Sequence, residues 1–160
     1  ERYYEEEGRA ELTPRDFGIL MHRVFENAAT TDEIYMAIEA MTQDGVLDEK
    51  EAPRLRELVE KALADPVTAE WFGGRWQVVR NENEIILPGS GTTRRPDRVM
   101  TDGERAVVVD YKFGDRETAR HRKQIREYLR LLRQMGYTRT EGYLWYVRLG
   151  RTERVEEKED

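Results

Sequence analysis

The sequence predicts an α/β domain in which helices come first and a mixed sheet of about four or five strands follows. Three observations point there. Apolar residues keep helical spacing through roughly the first 75 positions, the period turns strand-like at Trp76, and a long basic amphipathic segment precedes one last aromatic-rich strand. With 160 residues and 38% apolar content the chain fits one domain over 1–150, helical to about 75 and sheet-forming from about 76, with a charged tail at 151–160.

Thr13-Pro14-Arg15-Asp16 reads as a helix start, with a hydroxyl N-cap, proline at the first helical position and a carboxylate in the first turn. Phe17, Leu20, Met21, Val24 and Phe25 supply its apolar stripe. A second helix begins after Thr31, stops near Gly45 and turns Ile34, Ala37, Ile38 and Met41 inward; a third follows Asp48 and carries Leu55, Leu58, Val59, Ala62 and Leu63. Asp65-Pro66 ends it, and Trp71-Phe72 forms a short turn. Trp76 to Val79 and Glu84 to Leu87 read as a hairpin through Asn81-Glu82-Asn83, and the Gly89 to Thr93 loop leads to a second strand pair closed at Asp102-Gly103. A long helix runs from about Glu117 to Met135, closed by Gly136, and Tyr143 to Val147 is the final strand. The tail from Arg151 to Asp160 reads as solvated and frayed.

Charged residues make up another 38%, the mean hydropathy is −0.85, and no apolar run approaches the ~20 residues that cross a bilayer. Without cysteine there is no disulfide, thiolate zinc site or iron-sulfur cluster, and no segment resembles a secretion signal. A soluble, cytoplasmic protein with no membrane partner is expected. The chain opens on Glu1 in an acidic stretch without an initiator methionine, which reads as a piece of a longer polypeptide. A net charge of −6 argues against bulk electrostatic coating of nucleic acid, but the charge is segregated. Eight basic residues stand between Arg116 and Arg139, opposed within that stretch only by Glu117 and Glu127, whereas acids concentrate before Glu60 and in the tail.

The chemistry concentrates in Arg94 to Met100 and Ala106 to Lys112. If Asp102-Gly103 is the two-residue hairpin turn, Asp97 stands opposite Val108 and diagonal to Asp110, roughly 7 Å away on the face that Val108, Asp110 and Lys112 share. One divalent cation bridges such a gap. Val107-Val108-Val109 runs straight into Asp110, so this carboxylate closes a buried strand and needs a counter-charge. A metal satisfies that need, and so does a structural ion pair with Lys112 or Arg95. Mg²⁺ prefers oxygen ligands and commonly takes one or two carboxylates, which Asp97 and Asp110 supply. Lys112 would then orient or deprotonate a water and offset charge in the transition state.

His22 sits on the first helix with Glu26 one turn on, and is either a ligand or a satisfied helix histidine. Glu82 and Glu84 share a strand face and either aim at the same cation or are hairpin-turn solvation. Gln124 and Tyr128 stack one turn apart beside the stripe Ile125, Leu129, Leu132 and Met135. Arg122, Arg126, Arg130 and Arg133 form an adjoining ridge, a phosphate-binding surface or simply a wet helix face.

Taken in order, these residues resemble the PD-(D/E)XK nucleases, particularly the RecB-like domain at the C-terminus of RecB- and AddA-type helicase-nucleases. Gly18 to Glu26 is similar to the family's helical histidine motif, Arg95-Pro96-Asp97-Arg98 to its first acidic motif, Val109 to Gly114 to its D-x-K motif and Gln124 to Tyr128 to its Q-x-x-x-Y helix. The resemblance implies a restriction-endonuclease-like core with a β-β-β-α-β arrangement. It implies Mg²⁺, with Mn²⁺ as substitute, on His22, Asp97, Asp110 and the Tyr111 carbonyl, with Lys112 catalytic and Gln124 and Tyr128 supporting the site and touching DNA. An additional carboxylate is expected from Glu82, with Glu84 as the competing register. DNA contacts are expected from Arg95, Arg98, Arg122, Lys123, Arg126 and Arg130.

The function this implies is metal-dependent hydrolysis of DNA, as an exonuclease rather than an endonuclease, in the nuclease module of a recombination and repair helicase-nuclease whose motor region would deliver the strand. Two rivals share the fold: a non-catalytic module that docks a protein partner on its acidic helices, and a stand-alone restriction-like endonuclease.

Overall fold

The computed structural model of the protein describes residues 14–82, 85, 95–113 and 119–158. The N-cap expected at Thr13, the Phe17 side chain, the strand expected over 84–87 apart from Ile85, the Gly89 to Thr93 loop and Gly114 lie outside the described residues.

Four helices lead. In α1 (Pro14–Phe25) Leu20, Met21, Val24 and Phe25 are buried as their spacing predicts. α2 (Thr31–Gln43) starts one residue earlier than expected, because Thr30 is its N-cap and accepts the Glu33 N–H at 3.3 Å. Gly45, at φ +76°, follows its end. Before α3 (Glu51–Ala62), Asp48 Oδ1 accepts the Glu51 N–H at 2.7 Å while Glu51 Oε1 accepts the Asp48 N–H at 3.1 Å. Residues 66–71, expected to lead only into a turn, instead form α4 (Pro66–Trp71). Asp65-Pro66 both stops α3 and starts α4, with Asp65 Oδ1 accepting the Val67 N–H at 2.8 Å and Pro66 opening the first turn.

The sheet has five strands in sequence order: β1 (Val78–Asn81), β2 (Arg98–Asp102), β3 (Arg105–Lys112), β4 (Arg139–Tyr146) and β5 (Arg151–Val155). β3 and β4 are parallel, joined across α5 (Ala119–Gln134), and every other neighbouring pair is antiparallel. β1 pairs directly with β2, Arg80 facing Val99, so the strand expected over 84–87 does not stand between them. Arg151–Val155, expected as frayed tail, is an edge strand whose Val155 is buried against β4 and α5.

The β2–β3 turn also differs from expectation. Asp102 pairs with Arg105, which makes Gly103-Glu104 the central residues, and positive φ falls on Gly103 alone, at +59°. Glycine in the first central position is the pattern of a type II′ hairpin. The register therefore moves by two residues: Val99, not Asp97, faces Val108, and Asp97, one residue before the Arg98–Val109 pair, comes opposite Asp110. An even shift keeps every side chain on its expected face.

Two apolar layers flank this sheet. On one face Phe25, Trp71 and Phe72 from the leading helices pack on Met100, Val107, Val109, Tyr111, Tyr143 and Trp145. On the other, Ile125, Tyr128, Leu129 and Leu132 of α5 cover Val99, Ala106, Val108, Leu144 and Tyr146. β3, buried on both faces, is the central layer. α5 lies close to β4 because residue 142 is glycine: a Cβ there would come 2.5 Å from Ile125 Cγ2 and 3.1 Å from Leu129 Cδ1. No helix among the described residues is long and apolar enough to cross a membrane. Gly142→Val is expected to lower stability by about 1–3 kcal/mol through overpacking, read as a fall in the urea midpoint at unchanged m-value.

Candidate metal centre

β2 begins where β3 ends, with Asp97 immediately before the one and Asp110 near the end of the other. Asp97 and Asp110 are 5% and 3% exposed. Backbone amides hold both: Asp97 Oδ2 accepts the Tyr111 N–H at 2.7 Å, and Asp110 Oδ1 accepts the Asp97 N–H at 3.1 Å. A carboxylate gripped by a main-chain donor cannot swing away, so the two strand ends fix the acids relative to each other.

α1 delivers the third group. Gly18 lets the helix approach the end of β3, since a Cβ there would lie 3.3 Å from Phe113 Cβ. One turn later the His22 ring stands edge-on to Tyr111, centroids 6.5 Å apart. Its Nε2 lies 3.2 Å from Asp97 Oδ1 and 3.7 Å from Glu82 Oε2, and Nδ1 lies 4.0 Å from Glu26 Oε2. His22, Glu82 and Asp97 each offer a ligand atom, all within 4.8 Å of one another. The hydrogen bond to Asp97 raises the His22 pKa above its ordinary value; partial burial opposes the rise, and the charges of Asp97, Glu82 and Glu26 add to it. These acids draw a proton onto the imidazole, and the same field attracts a cation.

The donor chemistry fits a divalent ion. Carboxylate oxygens suit hard ions such as Mg²⁺, and an imidazole nitrogen beside them also accommodates Mn²⁺. The whole chain, residues 1–160, matches the family model of the PD-(D/E)XK nuclease superfamily. The chain belongs to that superfamily. No curated protein matches it. As a PD-(D/E)XK protein it falls among divalent-metal-dependent nucleases that act on DNA, and its five-stranded mixed sheet behind N-terminal helices is consistent with a restriction-endonuclease-like fold.

Of the residues singled out in the sequence of this PD-(D/E)XK domain, His22, Glu82 and Asp97 come together, Asp110 and Tyr111 are bonded to Asp97, and Glu84 lies outside the described residues. Lys112 is half-buried at the end of β3, paired with Tyr146, and shares by alternation the face of Val108 and Asp110. On α5, Gln124 Oε1 is buried with no hydrogen-bond partner among the described residues. Tyr128 is buried further along, and that burial pushes its hydroxyl up to about 12 against the pull of Arg80 and Arg95. Arg80 was not singled out, although the alternation Val78, Arg80, Glu82 marks it.

Arg98 and Arg122, both expected to contact DNA, are engaged within the fold. Arg98 is fully buried on the face opposite α5: its guanidinium donates to the carbonyls of Ala28, Ala29 and Trp71 and stacks 3.9 Å from the Phe72 ring centroid. It ties the end of α1 and the end of α4 to the sheet and cannot reach a strand of DNA. Arg122 is engaged by Glu153 of β5 through two bonds of 2.5 and 2.9 Å, and Arg133 by Glu157 through a bond of 2.9 Å. Arg95, Lys123 and Arg130 remain exposed and Arg126 half-buried.

The raised His22 pKa sets opposite pH trends. In metal-free protein the His22–Asp97 contact adds stability below the unfolded histidine value of about 6.5 and loses it as pH rises through the higher folded value. Ligation requires neutral imidazole, so Mn²⁺ affinity is expected to rise over the same interval. Calorimetric Mn²⁺ titrations and urea midpoints across that range should show both trends, and His22→Gln should flatten both.

Proposed function

We propose that the protein is a RecB/AddA-type nuclease module of a helicase-nuclease, acting as an exonuclease in DNA recombination and repair. The observation that carries this reading is the junction of the Asp97 and Asp110 carboxylates, locked by main-chain bonds, with His22 and Glu82 beside them. In this reading His22, Glu82, Asp97, Asp110 and the Tyr111 carbonyl hold Mg²⁺ or Mn²⁺. A divalent ion held there would supply polarisation of the scissile phosphodiester and a lowered pKa for a water.

The remaining chemistry belongs to the chain. Lys112, on the Asp110 face, orients the attacking water, takes its proton and offsets negative charge as the phosphorane-like transition state forms. Gln124 supplies an acceptor for Lys112 or the substrate, which accounts for its buried, unpartnered oxygen among the described residues. Arg95, Lys123, Arg126 and Arg130 bind phosphates and position the strand without reading its sequence. With a net charge of −6, the domain draws little DNA by bulk attraction, which favours delivery of the strand by a motor region of the same polypeptide.

Incubating the protein with linear single- and double-stranded DNA and Mg²⁺ or Mn²⁺ should yield cleavage that EDTA stops. Lys112→Ala and Asp110→Ala should each lower the rate at least about a hundredfold, the scale of a lost catalytic donor. Cleavage of equal rate by both variants would contradict the assignment.

A further inference from the structure

A cleft of about 260 Å³ lies between α5 and the β1–β2 edge of the sheet. Val78, Val99, Leu132, Tyr128 and Tyr137 make most of its wall, and Arg80 stands in its lining. Arg80 is exposed and has no ion-pair partner among the described residues, unlike Arg105, Arg122 and Arg133. Arg95 reaches the same region, its Nε donating to the Ile85 carbonyl at 2.8 Å, and both arginines act on the Tyr128 hydroxyl. Two cations at an apolar, aromatic-lined cleft of this size are complementary to one nucleotide: a flat apolar base joined to an anion. The volume is below the ~300 Å³ at which pockets for drug-sized molecules begin, which suits a single base and excludes a duplex.

The cleft also adjoins the acids. Arg80 precedes Glu82 by two residues, at most about 7 Å of extended chain, and pairs with Val99, two residues from Asp97. The cleft and the His22–Glu82–Asp97 cluster are thus two residues apart along both β1 and β2, near enough for one strand of DNA to reach both.

We propose that this cleft is a subsite for one unstacked nucleotide of single-stranded DNA, its base against Tyr128 and Tyr137 and its phosphate on Arg80 and Arg95. The proposal rests on the nuclease reading and adds to it a subsite outside the metal centre. A base enters only after leaving its stack, which costs least in a single strand or a frayed end. The cleft thus makes the protein selective for single strands, through stacking and phosphate contact that are indifferent to sequence.

The test is fluorescence anisotropy of the whole chain with labelled oligo(dT) and a blunt hairpin duplex, in EDTA at low ionic strength, where binding is read without hydrolysis. Val78→Phe fills the cleft from a position that is 38% exposed. It is expected to weaken oligo(dT) binding about tenfold, within the range of one lost base stack, and to leave duplex binding within about twofold. Arg80→Ala is expected to reduce the salt dependence of oligo(dT) binding by about one phosphate contact. Both variants should keep wild-type Mn²⁺ titrations, which separates this subsite from the metal centre. Wild-type oligo(dT) affinity in Val78→Phe, equal loss on both DNAs, an unchanged salt slope in Arg80→Ala, or no oligo(dT) binding by the wild type would overturn it. Failure of the nuclease reading would show instead as absent hydrolysis with single-strand selectivity intact.

Discussion

The site depends on one constraint: two buried carboxylates held opposite each other where β2 begins and β3 ends. Asp97 grips the Tyr111 amide, Asp110 grips the Asp97 amide, and each bond fixes a side chain to the other strand's backbone. Burying two like charges side by side is costly, and main-chain donors offset only part of that cost. The remainder is a standing demand for positive charge. His22, half-buried, answers it through its hydrogen bond to Asp97, which raises its pKa above the ordinary value. The fold serves this arrangement: α1 brings the histidine over Tyr111, β1 leads into Glu82, and Arg98 clamps the ends of two helices to the strand that begins at the site.

The architecture was legible because its signals are periodic. Helical stripes in α1 to α3, the apolar run of β3 and the basic amphipathic pattern of α5 are each repeated over many residues, so single exceptions do not obscure them. Short or dual-purpose signals misled. Asp65-Pro66 was read only as a stop, although a carboxylate before proline is equally a start, and α4 followed. β5 has five residues, of which only Val155 is buried, and its stability comes from backbone pairing with β4, which leaves no side-chain pattern to read. The hairpin turn was placed one residue early, which moves the register by two, because Asp-Gly fits a I′ turn, whereas Gly103 takes the first position of a II′ turn.

At the site, the same alternation that revealed one residue type hid another. Asp97 and Asp110 stood on one face in either register, so their association survived the shift. Arg98, adjacent in sequence to Asp97, was read as a surface cation from the charge of its neighbours. Alternation from Val99, which faces α5, sends it to the opposite layer. Arg122 was read as unopposed because its acidic partner lies on β5, the strand that was not foreseen. The missed strand thus hid the counter-charge. Alternation put Glu82 and Glu84 on one face and left both readings open, since nothing in the local sequence separates a ligand from a solvated turn residue.

The most direct measurement of the central claim is anomalous diffraction from a crystal soaked in Mn²⁺. The account predicts one peak within ordinary coordination distance of His22 Nε2, Glu82 and the Asp97 carboxylate, with Asp110 still bonded to the Asp97 amide. A peak elsewhere, or none at saturating metal while His22 stays on Asp97, would mean that the two acids serve the fold alone.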